Sequence, residues 1–147
     1  MIDPSIEAFI EALWLEDGLS ANTQAAYRRD LTALAAWLQP LPLDACTELQ
    51  LFEYAAARSA GKATTANRRL SVFKRYFRWA LREGRITADP TLKLTAAKQP
   101  LRVPKLLSEA QVSALLAAPD VNTALGLRDR AMLELMYASG LRVSELV

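Results

Sequence analysis

Histidine is missing from this 147-residue chain, and cysteine occurs once, as Cys46. With neither imidazoles nor a set of thiolates, a zinc site is excluded, and no metal or cofactor is expected. A lone cysteine cannot build a disulfide framework, so a reducing, cytoplasmic setting is the expectation. No apolar run approaches the roughly 20 residues that cross a bilayer. The start, Met1-Ile2-Asp3-Pro4, has neither the positive region nor the apolar stretch of a secretory signal. Strand-like alternation never persists beyond a few residues. What the chain does have is 52% apolar and 23% charged residues, the balance of a globular protein able to build a core.

The net charge of +2 conceals a segregation of charge. Residues 1–57 carry two basic side chains, Arg28 and Arg29, against nine acidic ones. Residues 58–105 carry thirteen basic side chains against only Glu83 and Asp89. Residues 106–147 return to three basic against five acidic. A block so dominated by one sign repels itself, and a polyanion relieves the repulsion. Most of its cations are arginine, whose planar fork suits bidentate phosphate contacts. A solvated basic face is the plainer alternative.

Periodicity predicts an all-α chain. Ile6, Phe9, Ile10, Leu13 and Trp14 share one helical face, with Pro4 at the first helical position and Gly18 as the stop. A second helix opens after Ser20, turns Tyr27, Leu31, Leu34 and Leu38 inward, and ends before Pro40 and Pro42. Thr47 and Gln50 have capping-box spacing for a third, reaching about Arg58. The fourth, from about Thr64 to Glu83, is expected to bury Leu70, Phe73, Phe77, Ala80 and Leu81, with Gly84 as its stop.

Pro100 and Pro104 forbid a helix through a basic stretch holding Lys98, Arg102 and Lys105, which reads as a linker. Ser108 and Gln111 then open another capped helix ending near Pro119, and a further one spans about Thr123 to Ser139. The expected organisation is a helical domain over 1–94, a linker over 95–106 and a partial domain over 107–147. About 40 residues are too few for an independent core. The chain is therefore expected to be truncated, its last apolar side chains packing on segments beyond Val147.

Function is concentrated in two places. Outside its apolar stripe the fourth helix carries Arg68, Arg69, Lys74, Arg75, Arg78 and Arg82. Arg68, Arg75 and Arg82 recur every seven residues and Lys74, Arg78 and Arg82 every four, rows able to follow a groove. Thr64, Thr65 and Asn67 in its first turn can bond phosphate beside the free amides of a helix start. The second helix opens similarly with Asn22, Thr23 and Gln24, followed by Arg28 and Arg29; for Gln24 and Arg28 the alternative is an ordinary exposed face.

The second place is Tyr137-Ala138-Ser139-Gly140-Leu141-Arg142-Val143-Ser144-Glu145-Leu146, where Gly140 supplies a left-handed helix cap. Arg142, read as buried, has Glu145 three positions on and on the same face. This segment resembles the first active-site arginine segment of the tyrosine recombinases, the integrase family. Leu13-Trp14-Leu15-Glu16, Leu19 to Thr23 and Ala26 to Leu31 are similar to the start of its XerD-type members. Leu101 to Glu109 looks like the family's entry to its catalytic domain, and Leu127 to Glu134 resembles the helix before the first arginine. The order and spacing of these segments carry the resemblance, which covers nearly the whole chain.

The resemblance implies a four-helix SAM-like core-binding domain, a linker and the first helices of a catalytic domain. Such a domain grips a double-stranded DNA half-site, with its second and fourth helices toward the major groove. It assigns DNA contacts to Thr23, Arg28, Arg29, Arg68, Arg69, Lys74 and Arg75, with Lys98, Arg102 and Lys105 along the backbone; the residue reading adds Gln24, Thr64, Asn67 and Arg78. The implied chemistry is metal-free phosphoryl transfer through a phosphotyrosyl link. Arg142 matches the first arginine that stabilises charge on the non-bridging oxygens, and Glu145 would orient it.

The family's hairpin lysine, His-x-x-Arg segment, later His or Trp, and tyrosine nucleophile have no match here. Tyr27, Tyr54, Tyr76 and Tyr137 all precede Arg142. The chain alone is therefore expected to be a monomer that neither cleaves nor joins DNA. Its partners would be duplex DNA and, for the full-length protein, a related XerC-like recombinase subunit in chromosome dimer resolution. Two competing classes are a non-catalytic helical DNA-binding regulator, which should lack the arginine motif, and a helical interaction module that offers its basic face to acidic proteins.

Overall fold

Helix starts and stops fall where the chain supplies the capping chemistry. The computed structural model describes residues 3–58, 61–98 and 106–147. Asp3 caps α1 (Pro4–Asp17), its side chain accepting from the Ser5 amide, and Gly18 closes it at φ 61° by returning its N–H to the Trp14 carbonyl. Ser20 caps α2 (Ala21–Leu38). After a short 3-10 turn at Leu43–Ala45, Thr47 and Gln50 form the expected reciprocal box at the start of α3 (Glu48–Ala57). The long α4 spans Ala63–Arg82. Ser108 and Gln111 repeat the box before α5 (Glu109–Ala117); α6 (Ala124–Ser139) starts on Thr123 and ends on Gly140, and α7 (Val143–Leu146) follows. All regular structure among the described residues is helical.

The chain divides into two compact units, Met1–Pro100 and Leu101–Val147. In the first, Ile6, Phe9, Ile10 and Leu13 of α1 meet Leu31, Leu34 and Leu38 of α2 and Leu51 and Tyr54 of α3. From α4 come Val72, Phe73, Tyr76, Phe77, Trp79 and Ala80. Phe9 sits at the centre, edge-on to Tyr76 with ring centroids 5.3 Å apart. Fully burying an aromatic or aliphatic side chain of this kind contributes roughly 1.5–3 kcal/mol, so the stripe sets the position of α4 and of every cation on it.

Two expected core residues lie outside. Trp14 is 57% exposed and Leu81 41% exposed. Each follows a buried neighbour, Leu13 or Ala80, by one residue, which turns it about 100° around the helix, to the edge of the stripe. A polar network that the periodicity did not foretell ties the start of the chain to α4: the Tyr76 hydroxyl lies 2.6 Å from Asp44 and 2.7 Å from Ser5, and Asp44 also accepts from Arg85.

In the second unit α5 packs on α6 and α6 on α7. None of its described residues is buried, and Leu125, Leu127 and Leu135 are at least half exposed. Gly126 is required there by space alone: a Cβ would fall 1.9 Å from the Asp120 carbonyl oxygen. Among the described residues no helix is long and apolar enough to cross a membrane.

Candidate nucleic-acid interface

The seven-residue arginine row of α4 lies along the seam with α1 and α2, where every member meets a carboxylate. Both terminal nitrogens of Arg68 face Asp30, and Arg69 stands 3.8 Å from the same carboxylate. Arg75 pairs with Asp17 and reaches the Tyr27 hydroxyl; Arg82 pairs with Glu16 at 2.6 Å and with Glu83. The row expected to follow a groove is thus paired within the unit. The geometry that places arginines every seven residues also places them against the acids of the neighbouring helices.

On α2, Arg28 is bound by Glu7 of α1 through two contacts of 2.7 and 2.8 Å. That hydrogen bond raises the Arg28 pKa and holds the Glu7 carboxyl below its ordinary range. Gln24, expected on an outward face, donates its amide to the Leu19 carbonyl at 2.7 Å, and the Thr23 hydroxyl lies 3.0 Å from Ser20 Oγ. Asn67 is a clamp: its amide donates to the Ala97 carbonyl and accepts the Ala97 N–H, tying the start of the expected linker to α4. These groups are engaged within the unit.

The cations left without an ion-pair partner among the described residues are Arg29 on α2, Lys62 at the N-cap of α4, Lys74 and Arg78 on it, Lys98 beyond it, and Arg58, which lies over the Tyr54 ring at 4.0 Å. Lys74 and Arg78 are one turn apart on the side of α4 opposite Phe73, and Ser71 and the exposed Thr64 continue that row toward the helix start. Lys62 caps α4 with no side-chain bond, and among the described residues the Ala63 and Thr64 amides have no partner. Arg102 and Lys105 lie outside the described residues. Surface ion pairs contribute only about 0–1 kcal/mol, so Arg28, Arg75 and Arg82, whose acid partners are exposed, remain open to exchange with a phosphate.

In the second unit Arg142, read as buried, has a side chain 80% exposed. Glu145 holds it from both ends, accepting the Arg142 main-chain N–H and its Nη1, each at 2.8 Å. The tyrosines differ in access. Burial, with the Asp44 hydrogen bond, raises the Tyr76 pKa, and burial raises that of Tyr54; Tyr137 is exposed on α6. A buried phenol held in its neutral form is poorly placed to attack a phosphate.

The partner acids were the residues that periodicity missed, although one signal was present: the acidic excess of residues 1–57 mirrors the basic block of 58–105.

The chain matches the phage integrase N-terminal SAM-like domain over residues 6–84 and the phage integrase family over residues 105–147. It is 63% identical over 146 residues to the tyrosine recombinase XerD of Ralstonia nicotianae, covering 97% of this chain and 47% of that protein. The Proteus mirabilis XerD is 50% identical over 149 residues, covering 99% of this chain and 48% of the relative. This chain thus spans about half the length of the curated relatives it matches. A lambda integrase tetramer bound to a Holliday junction shares the fold, with a TM-score of 0.71 at 24% identity over 95% of this chain and 40% of that one. With the integrase N-terminal SAM-like domain matched over residues 6–84, the phage integrase family over residues 105–147 and XerD relatives across its length, the chain belongs to the phage integrase, or tyrosine recombinase, family.

Proposed function

We propose that this chain is the DNA-gripping half of a XerD-like site-specific tyrosine recombinase, holding a duplex half-site on the face shared by α2 and α4. The observation that carries the reading is the row Thr64, Ser71, Lys74 and Arg78, whose two cations meet no acid among the described residues. Arg29 and Lys98 add unpaired charge, and Arg102 and Lys105 would extend it along the backbone. Thr23, Gln24, Arg28, Asn67 and Arg75 form a second set, already engaged, in which a phosphate competes with an internal partner, while Arg68 and Arg69 stay against Asp30 and meet the duplex from there. The domain at 1–94, linker at 95–106 and catalytic start at 107–147 follow from the same reading.

Arg142 is the first active-site arginine, stabilising charge on a scissile phosphate, and Glu145 sets its orientation. None of the four tyrosines serves as nucleophile, so the 147-residue chain binds but neither cleaves nor joins DNA. A monomer in solution, a XerC-like partner for the full-length protein, a role in chromosome dimer resolution and a cytoplasmic setting complete the proposal. Fluorescence anisotropy with a labelled duplex over a salt series tests it. About five phosphate contacts give a slope of roughly −4 to −5 in log affinity against log salt. Binding that is absent or indifferent to salt overturns the reading, as does a covalent protein–DNA adduct on a nicked suicide substrate for the claim of inactivity.

A further inference from the structure

Asp30 stands out among the acids of the first unit because it is buried, its side chain only 8% exposed, while its partner Arg68 is 49% exposed. An uncompensated carboxylate at such a site is costly, and two successive guanidinium groups of α4 compensate it. Arg68 supplies Nη1 to Oδ2 and Nη2 to Oδ1, the latter at 3.0 Å; Arg69 Nε stands 3.8 Å from Oδ1. The end-on edge of the Arg68 fork is thus spent on Asp30. Its Nε–H and outer Nη hydrogens, the side-on edge, have no partner among the described residues. Arg28 is the contrast, since Glu7 takes that Nε and Nη2 edge. Arg68 is therefore a half-exposed guanidinium whose plane is fixed from inside while a bidentate donor edge remains open outside.

The geometry points to Asp30 as a positioning residue: it orients Arg68 so that the open edge meets an oxygen acceptor, a DNA phosphate, on the α2–α4 face. This inference rests on the duplex-binding reading above. Its consequence runs against simple charge counting, by which removing an acid from a DNA-binding face strengthens binding. Asp30→Asn raises the net charge by one yet takes away the anchor, and is expected to weaken duplex affinity by about tenfold, the scale of one charge-assisted bidentate contact.

The test is a double-mutant cycle on the full chain, read by anisotropy with a labelled mixed-sequence duplex, with circular dichroism verifying the fold of each variant. Asp30→Asn should weaken binding in the wild-type background and have no weakening effect in an Arg68→Ala background. A merely structural role would persist there. Arg68→Lys, which keeps the charge and the Asp30 contact but loses the planar fork, should weaken binding comparably with the fold intact, so the inference stays testable if Asp30→Asn fails to fold. Equal or tighter binding by folded Asp30→Asn, undiminished binding by Arg68→Lys, or an Asp30→Asn effect that survives without Arg68 overturns it. Failure of the wild-type chain to bind duplex at all overturns instead the reading beneath it.

Discussion

Tyr54 and Tyr76 are both buried, yet their hydroxyls have opposite surroundings. Tyr76 Oη sits between Asp44 and Ser5, whereas Tyr54 Oη is buried with no hydrogen-bond partner among the described residues. Deleting a hydroxyl that satisfies buried neighbours costs about 1–3 kcal/mol, and deleting an unsatisfied one costs little. Urea unfolding should therefore show Tyr76→Phe clearly destabilised and Tyr54→Phe at or above wild-type stability. Equal losses would contradict the assignment. Asp3 adds a pH dependence. Burial pushes its carboxyl up, but hydrogen bonds from the Ser5 hydroxyl and amide and the Leu43 amide outweigh burial and depress its pKa. The stabilisation is thus present above the ordinary carboxylate range and lost as pH falls through the depressed folded value. The urea midpoint should drop as pH falls below about 4, and Asp3→Asn should remove part of that drop. At this scale the sequence was half legible. Pro4 at the first helical position and Phe73 and Phe77 as core residues follow from spacing, but the meeting of Tyr76 with Asp44 across 32 positions does not.

Elements were the most legible level, because caps and stripes are local. The boxes at Thr47–Gln50 and Ser108–Gln111 and the stop at Gly140 are chemistry within a few residues, and they stand where spacing put them. The arginine pairs escaped for the converse reason. Spacing reports partners three or four residues apart on one helix, while Asp17 and Arg75 are 58 positions apart. Trp14 and Leu81 erred because the edge of an apolar stripe is set by the helices packed against it. Gly126 carries the prediction for this scale. Gly126→Ala would drive a Cβ into the Asp120 main-chain carbonyl, and the first turn of α6 should lift from the loop before it. Hydrogen exchange at the amides of residues 123–127 should accelerate in the variant while α1–α4 stay protected. Unchanged protection there would contradict the packing.

Across the whole molecule the charge segregation has two meanings at once. Five acids of the first 57 residues, Glu16, Asp17, Asp30, Asp44 and Glu48, pair with Arg82, Arg75, Arg68, Arg85 and Lys93 of the basic block. Part of the apparent appetite for a polyanion is therefore met within the fold. What remains is smaller and better placed, centred on Lys74 and Arg78, and the central claim rests on this remainder. Its most direct test is the salt dependence of duplex binding by a Lys74→Ala, Arg78→Ala double variant beside the wild-type chain. Each lost phosphate contact removes about 0.9 from the slope, so the variant should bind more weakly with a slope shallower by nearly 2. A variant with wild-type affinity and an unchanged slope would show that duplex DNA is not held by this face.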